Sequence, residues 1–117
     1  MKLHKVLSII DGRVISKSVD LDKEVQMGCG SDLMSDVLAF GKPGIVLLTG
    51  LSNAQSVRTA DIIEAIAVIY VRGKKPDENG IRLAEEKNIP LLSTKYMMYT
   101  ACGLLYSRGL HGVIQAE

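Results

Sequence analysis

Residues 67–94 set the fold of this chain, and they read Ala67-Val-Ile-Tyr-Val71, Arg72-Gly-Lys-Lys-Pro76, Asp77 to Asn88, and Ile89-Pro-Leu-Leu-Ser-Thr94. An apolar run rich in β-branched residues ends in a Gly/Pro turn. A polar segment of helical length follows, and a second short apolar run comes after it. This order predicts a strand–helix–strand crossover between two parallel strands.

The rest of the chain repeats this alternation of helical and strand-like segments. Further strands and helices are predicted at Arg13–Ser16, Val25–Cys29 and Ile45–Leu48, and at Met1–Ile10, Ser31–Phe40, Ala54–Ala65 and Lys95–Ser107. The whole order, α-β-β-α-β-α-β-α-β-α, predicts a three-layer α/β/α sandwich with a mostly parallel sheet of about five strands. The pairing direction of the first strands stays open, because no crossover helix follows the first of them.

The composition indicates one small domain with an aliphatic core. The 117 residues fit a single domain over 1–117, and 47% are hydrophobic although no Trp is present. The net charge of +1 gives no basic excess, so neither nucleic acid nor an anionic membrane is an expected partner. No apolar segment approaches the roughly 20 residues of a membrane span, and no signal-peptide pattern is found. We therefore expect a soluble, cytoplasmic protein.

The cysteines and histidines give no sign of a metal or catalytic centre. Cys29 and Cys102 are far apart without CxxC spacing, and we interpret them as buried free thiols in a reducing compartment. His4 and His111 each lack a second ligand at metal spacing, and neither lies in a recognisable triad. We predict no metal, no cofactor and no catalytic residue.

A ligand site is expected beyond the carboxyl ends of the parallel strands, where open α/β sheets bind ligands. These ends carry Gly28–Asp32, Thr49–Asn53, Arg72–Lys75 and Ser93–Thr94. Their hydroxyls, amide and cations suit a small anionic ligand such as a nucleotide or phosphorylated compound. The candidate ligand-binding residues are Gly28, Gly30, Ser31, Thr49, Gly50, Asn53, Arg58, Arg72, Gly73, Ser93 and Thr94.

Structural roles compete with ligand binding at several of these positions. The segment Gly28–Asp32 is either a tight turn with Ser31 as a helix cap, or a backbone-amide site for an anion. The pair Ser93–Thr94 is first of all a candidate cap for the last helix. Arg58 and Asp61 are expected to form a surface ion pair at i, i+3 spacing, with a functional role for the arginine as the alternative.

The last helix carries a wider apolar arc than a single sheet contact requires. A face rich in methionine and tyrosine favours a second contact, most simply with another copy of the chain. The residues expected at this homodimer interface are Met97, Met98, Ala101, Cys102 and Leu105. The alternative is a helix docked on the sheet, with its edges covered by the N-terminal helix.

A family resemblance rests largely on the residues quoted at the outset. Tyr70-Val-Arg-Gly-Lys-Lys-Pro76, the helix through Leu83-Ala-Glu-Glu86, and Ile89-Pro-Leu-Leu-Ser-Thr94 resemble the DRTGG domain family. The same stretch is similar to the N-terminal domain of HPr kinase/phosphorylase. The resemblance covers roughly Val25 to Tyr106.

The resemblance is partial at the motifs that name the family. Arg58 and Gly73 match, whereas Val57 and Val71 stand where the family typically has an acidic and a hydroxyl residue. The resemblance implies a non-catalytic regulatory module that binds a small ligand or a partner protein and often dimerises. The activity of the HPr relative is not carried over, since this chain has no P-loop.

Two other functions remain as alternatives. One is a small phosphotransfer or hydrolytic enzyme that uses the same loops, although the sequence shows no nucleophile–base pair for it. The other is a scaffold that binds a partner protein and no small molecule.

Overall fold

The computed structural model describes residues 1–17 and 19–113. The elements in this range are α1 Leu3–Ile9, β1 Arg13–Val14, β2 Met27–Gly30, α2 Met34–Phe40, β3 Ile45–Thr49, α3 Ala54–Ile62, β4 Ala67–Tyr70, α4 Glu78–Lys87, β5 Leu91–Ser93 and α5 Met98–Ser107. The sheet lies between two layers of helices, which confirms the predicted α/β/α sandwich. Within the described range, no helix is both long and apolar enough to cross a membrane.

The described sheet has the strand order β1-β5-β4-β3-β2. Strands β2 to β5 pair in parallel, as the crossover pattern predicts. β1 pairs antiparallel with β5, so that Arg13 lies opposite Ser93. An antiparallel neighbour needs no crossover helix, which explains why none follows β1. The pairing that the sequence leaves open is therefore antiparallel for β1 and parallel for β2, on opposite edges of the sheet.

The two central strands are buried on both faces. Every residue of β3 and β4 is buried, which agrees with their continuous apolar sequences. Alternate side chains point to opposite faces of a strand, and here they enter two separate cores. The core beside α1 and α5 receives Val46, Leu48, Ala67 and Ile69. The core beside α2, α3 and α4 receives Ile45, Leu47, Val68 and Tyr70.

The start of α2 differs from the prediction that Ser31 caps it. The helix begins at Met34, and Leu33 occupies the N-cap position without a side-chain hydrogen bond. The Ser31 hydroxyl accepts the Leu33 N–H at 3.0 Å, so it bonds the N-cap residue rather than the first turn of the helix. The chain stays extended here because the Asp32 carboxylate bonds to the β3–α3 loop rather than to its own helix.

The start of α5 differs in a similar way. The helix begins at Met98 rather than near Lys95, and the N-cap position is Met97. Thr94 is buried, and its hydroxyl donates to the Ile10 carbonyl at 2.7 Å, so it anchors the end of α1. Ser93 pairs with β1 as part of β5. The predicted capping pair Ser93–Thr94 is therefore wrong, because both residues join tertiary structure.

The Arg58–Asp61 ion pair that the sequence suggests is also absent from the described residues. Asp61 instead pairs with Lys87 of α4, with 3.7 Å between Nζ and Oδ2. This contact joins two helices that pack together on the same face of the sheet. Both partners are exposed, so the pair contributes little to stability.

The two cysteines are free thiols, as predicted, and both are half-buried. Burial raises the pKa of each thiol, which keeps both protonated near neutral pH. Cys29 packs against the core beside α2 to α4, and Cys102 against the core beside α1 and α5. Both residues also line one small cavity of about 140 Å³.

Tyr70 is the largest of the fully buried side chains, and its hydroxyl lies 2.7 Å from the Ser56 hydroxyl. The Ser56 hydroxyl also lies 2.9 Å from the Asn53 carbonyl, to which it donates. The Tyr70 hydroxyl must therefore donate to Ser56. Burial raises the pKa of Tyr70 to about 12.

We expect Tyr70→Phe to lower the free energy of unfolding by about 1 kcal/mol at pH 8, because one buried hydrogen bond is lost. Tyrosine ionises near pH 10 in the unfolded chain, so the wild type loses stability as the pH rises from about 10 to 12. At pH 11 this loss is about 1.4 kcal/mol, and Tyr70→Phe lacks it. Urea denaturation at pH 8 and pH 11 should show the two stabilities converging.

Tyr99→Phe is the matched control, because the Tyr99 side chain is exposed. Its stability should follow the wild type at both pH values. A constant difference between wild type and Tyr70→Phe would contradict the assignment of this pH dependence to Tyr70.

Candidate functional site

The carboxyl ends of β2, β3, β4 and β5 lie along one edge of the sheet, because these strands are parallel. We call this edge the carboxyl-end rim. It contains the segments after each strand, namely 31–32, 50–53, 71–75 and 94–95. The parallel pairing therefore places the four predicted loops side by side.

The first half of the rim is built around the Asp32 carboxylate. Its Oδ1 accepts the Thr49 hydroxyl at 3.1 Å and the Gly50 N–H at 2.6 Å. Thr49 is buried, and its hydroxyl oxygen accepts the Leu51 N–H at 3.1 Å. Thr49 and Gly50 were both predicted to bind a ligand anion. In the structure they bind the Asp32 carboxylate of the chain itself.

Arg72 completes this half of the rim in a left-handed backbone conformation, with φ of 60°. Its N–H donates to the Tyr96 carbonyl at 2.9 Å, and the Gly73 N–H donates to the Thr94 carbonyl at 2.8 Å. A Cβ atom on Gly50 would lie 2.6 Å from Arg72 Nη2. The guanidinium therefore lies against Gly50. A side chain at position 50 would occupy the same space.

The second half of the rim is a cleft of about 470 Å³ that we call the basic cleft. It is lined by Asp11, Gly12, Arg13, Gly73, Lys75, Ser93, Thr94 and Lys95. Three cations therefore face one carboxylate. None of the three forms an ion pair with a residue in the described part of the chain.

Three of the predicted site residues, Gly73, Ser93 and Thr94, line the basic cleft. Of the three cations, Lys75 belongs to the predicted loop Arg72–Lys75 but was not among the named ligand residues, whereas Arg13 and Lys95 lay outside the predicted loops. Arg13 reaches the rim only because β1 pairs antiparallel with β5, and the sequence carried no signal for that pairing. Lys75 lies in a predicted loop and Lys95 directly follows one, so the sequence did indicate that both lysines are near the strand ends.

Other predicted ligand residues are engaged in the fold. The Asn53 side chain accepts the Gln55 N–H and caps α3, and the Thr94 hydroxyl is bonded to Ile10. The Gly28 N–H donates to the His111 carbonyl, and the Ser31 N–H to the Leu48 carbonyl. These groups are not free donors for an anion.

Gly30 and Arg58 also lie apart from the basic cleft. A Cβ atom on Gly30 would lie 2.8 Å from Cys102 Sγ, so this glycine leaves room for α5 beside β2. Arg58 lies within α3 and is exposed, and among the described residues its side chain forms no ion pair with the rim. A ligand role for either residue stays a prediction.

A second cleft of about 500 Å³ lies at the amino end of β5. Its charged lining residues are two lysines, Lys17 and Lys23, and two acids, Asp20 and Glu85. These charges cancel, so the cleft gives an anion no net attraction. The basic cleft is therefore the better candidate for an anionic ligand.

The exposed face of α5 differs from the predicted dimer interface. The inward stripe of the helix comprises Met98, Ala101, Cys102 and Leu105. Ala101 and Leu105 are buried in the core of the chain itself, because the i, i+3, i+4, i+7 stripe faces β2, β3 and α1. The outward apolar side chains are Met97, Tyr99 and Tyr106, with exposed fractions of 62%, 82% and 56%.

No protein-family model matches the chain. Two other comparisons, with a bacterial protein and with a solved structure, do find similar proteins. The chain is 24% identical over 102 residues to the uncharacterized protein YtoI of Bacillus subtilis (strain 168), a match that spans 86% of this chain but 23% of YtoI. It is also similar to the crystal structure of the CBS and DRTGG domains of the regulatory region of Clostridium perfringens pyrophosphatase, complexed with its activator diadenosine tetraphosphate.

The TM-score of this structural match is 0.74 at 18% identity, and the match covers 89% of this chain and 45% of the pyrophosphatase chain. The chain therefore spans less than half the length of either protein. A likeness at this identity shows the fold alone, and it supports the DRTGG-like fold that the sequence resemblance implies.

The left-handed conformation of Arg72 costs about 1 kcal/mol for a residue with a Cβ atom. We expect Arg72→Gly to have a higher free energy of unfolding than Arg72→Ala by about this amount, because glycine removes the strain and alanine retains it. Urea denaturation of the two variants measures the difference.

The matched pair is Lys74→Gly and Lys74→Ala, since Lys74 is exposed and has no positive φ. There the alanine variant should be the more stable one. Equal stability of the two Arg72 variants would contradict the assigned strain.

Proposed function

We propose that this chain is a non-catalytic regulatory module that binds a small anionic ligand in the basic cleft. The observation that carries the proposal is the lining of the cleft, where Arg13, Lys75 and Lys95 face a single carboxylate, Asp11. Cations without ion-pair partners at the carboxyl ends of parallel strands are well placed to bind an anion.

The ligand class that suits this cleft is a compound with one or more phosphate groups. The cleft volume of about 470 Å³ lies in the range of small-molecule sites. Arginine offers a planar fork to phosphate oxygens, and lysines act as point charges. The similar pyrophosphatase region is complexed with diadenosine tetraphosphate, which makes nucleotide polyphosphates the first compounds to test.

The absence of catalysis is supported by the engagement of the rim hydroxyls. The Thr94 hydroxyl donates to the Ile10 carbonyl, which is not a general base. The Thr49 hydroxyl donates to the Asp32 carboxylate, but it is fully buried and its oxygen already accepts the Leu51 N–H. Among the described residues, no group of three His, Cys, Asp or Glu side chains is arranged to hold a metal ion. A binding module is therefore the function that this arrangement favours.

Titration calorimetry with diadenosine tetraphosphate, ATP and inorganic pyrophosphate tests the proposal. We expect at least one compound to bind, with Lys75→Ala weakening its affinity about three- to tenfold. Lys74→Ala is the matched control, because Lys74 is the neighbouring exposed lysine and does not line the cleft. It should change the affinity by less than twofold.

Three results would contradict the proposal. Equal effects of the two lysine variants would indicate general charge attraction rather than a site. Failure of all three anions to bind would favour the alternative of a module that binds only a partner protein. Hydrolysis or transfer of phosphate that Arg13→Ala abolishes would instead support the enzyme alternative.

The proposal includes homodimerisation through the outward face of α5. Exposed aromatic and methionine side chains favour protein contacts, and Met97, Tyr99 and Tyr106 supply them here. We expect sedimentation velocity at micromolar concentration to give twice the chain mass of 12.7 kDa. Tyr99→Glu should give the monomer, because it places a charge in the contact.

Ile62→Glu is the control for the dimer, since Ile62 is an exposed apolar residue on α3, in the opposite helix layer. This variant should stay dimeric. A wild-type mass of 12.7 kDa, or dissociation by both variants alike, would contradict an interface on α5.

A further inference from the structure

The rim contains a second place that is built to hold an anion, apart from the basic cleft. It is the corner formed by Asp32, Thr49, Gly50 and Arg72, which we call the Asp32 corner. Of these four residues none lines the basic cleft. Its chemistry follows from the direction of three hydrogen bonds and from one cation without a partner.

The Thr49 hydroxyl has a fixed orientation. Its oxygen accepts the Leu51 N–H at 3.1 Å, so its own proton points to Asp32 Oδ1, 3.1 Å away. The Gly50 N–H reaches the same oxygen at 2.6 Å. Two preorganised donors thus converge on one position, which is the arrangement that stabilises an oxyanion.

The Arg72 guanidinium lies beside these donors without a negative partner. It is held against Gly50, where a Cβ atom would lie 2.6 Å from Nη2. Yet no carboxylate of the described residues, including Asp32, is within ion-pair distance of it. The short Asp32 side chain therefore satisfies the two donors and leaves the adjacent positive charge unneutralised.

We infer that the Asp32 corner is a phosphate-binding site and that Asp32 competes with phosphate for it. A phosphate group has several oxygens in a tetrahedral arrangement. One can replace Asp32 Oδ1 on the two donors while another meets Arg72, which a carboxylate on the fixed Asp32 backbone does not do. Asp32 is exposed, so its side chain can turn into solvent when it is displaced.

The test uses inorganic phosphate as the probe and the chemical shift of the Gly50 amide as the readout, in nuclear magnetic resonance titrations of the full chain. Asp32→Asn keeps the shape of the side chain and one acceptor oxygen, but removes the competing charge. We expect this variant to bind phosphate about tenfold more tightly than the wild type at the Gly50 amide.

Asp36→Asn is the matched control, because it makes the same charge change at an exposed residue four positions along the chain. It should alter the affinity by less than twofold. Adding Arg72→Ala to Asp32→Asn should abolish the gain, since phosphate then loses its cation. If Asp32→Asn does not fold, Asp32→Ser provides a second neutral and polar replacement for the same titration.

Several results would overturn the inference. An unmoved Gly50 amide in every variant would show that the corner is a structural tether only. Equal gains from Asp32→Asn and Asp36→Asn would indicate long-range charge effects. Acetate that binds Asp32→Asn as tightly as phosphate would show that the site takes carboxylates. Adding Lys75→Ala separates this corner from the basic cleft, and the Gly50 response should survive it.

Discussion

Burial of β3 and β4 on both faces is the constraint from which the arrangement of the chain follows. Strands with apolar side chains on both faces need a helix layer on each side, and α1 with α5 and α2 with α3 and α4 provide them. Helical crossovers make these strands parallel, so β2 to β5 all end at one edge. The packing of the strands is therefore enough to bring the polar loops of the rim side by side, whatever contacts their side chains make.

The periodicity of the sequence predicted the strands and helices well, whereas it placed two helix starts too early. Ser31 and Thr94 are residue types that cap helices, and local patterns could say no more. In the structure these segments form hydrogen bonds to residues far away in the sequence. Asp32, next to Ser31, bonds to residues 17 and 18 positions away, and Thr94 bonds to a carbonyl 84 positions away. Tertiary hydrogen bonds overrode local capping preferences in both segments.

The position of the candidate site was predictable, and its chemistry only partly so. Short polar side chains such as Asn53 and Thr94 lie close to the backbone and form hydrogen bonds with backbone groups. Asn53 caps a helix in this way, and Thr94 anchors the end of α1. Long cationic side chains reach beyond these contacts and remain available. Arg13 could not be placed at the rim without knowing that β1 turns back along β5, a choice that two residues of strand sequence do not encode.

Backbone strain by itself does not distinguish Arg72. Glu64 and Asn88 adopt nearly the same left-handed conformation, with φ of 58° and 57°. Asn88 ends α4 and Glu64 follows α3, so in both cases the strain closes a helix. The turn at Arg72 instead follows a strand and directs a guanidinium onto Gly50, beside two donors that already hold a carboxylate. A turn shaped only by stability would favour glycine at this position. Arg72 therefore differs from Glu64 and Asn88 in where its side chain lies rather than in its backbone conformation.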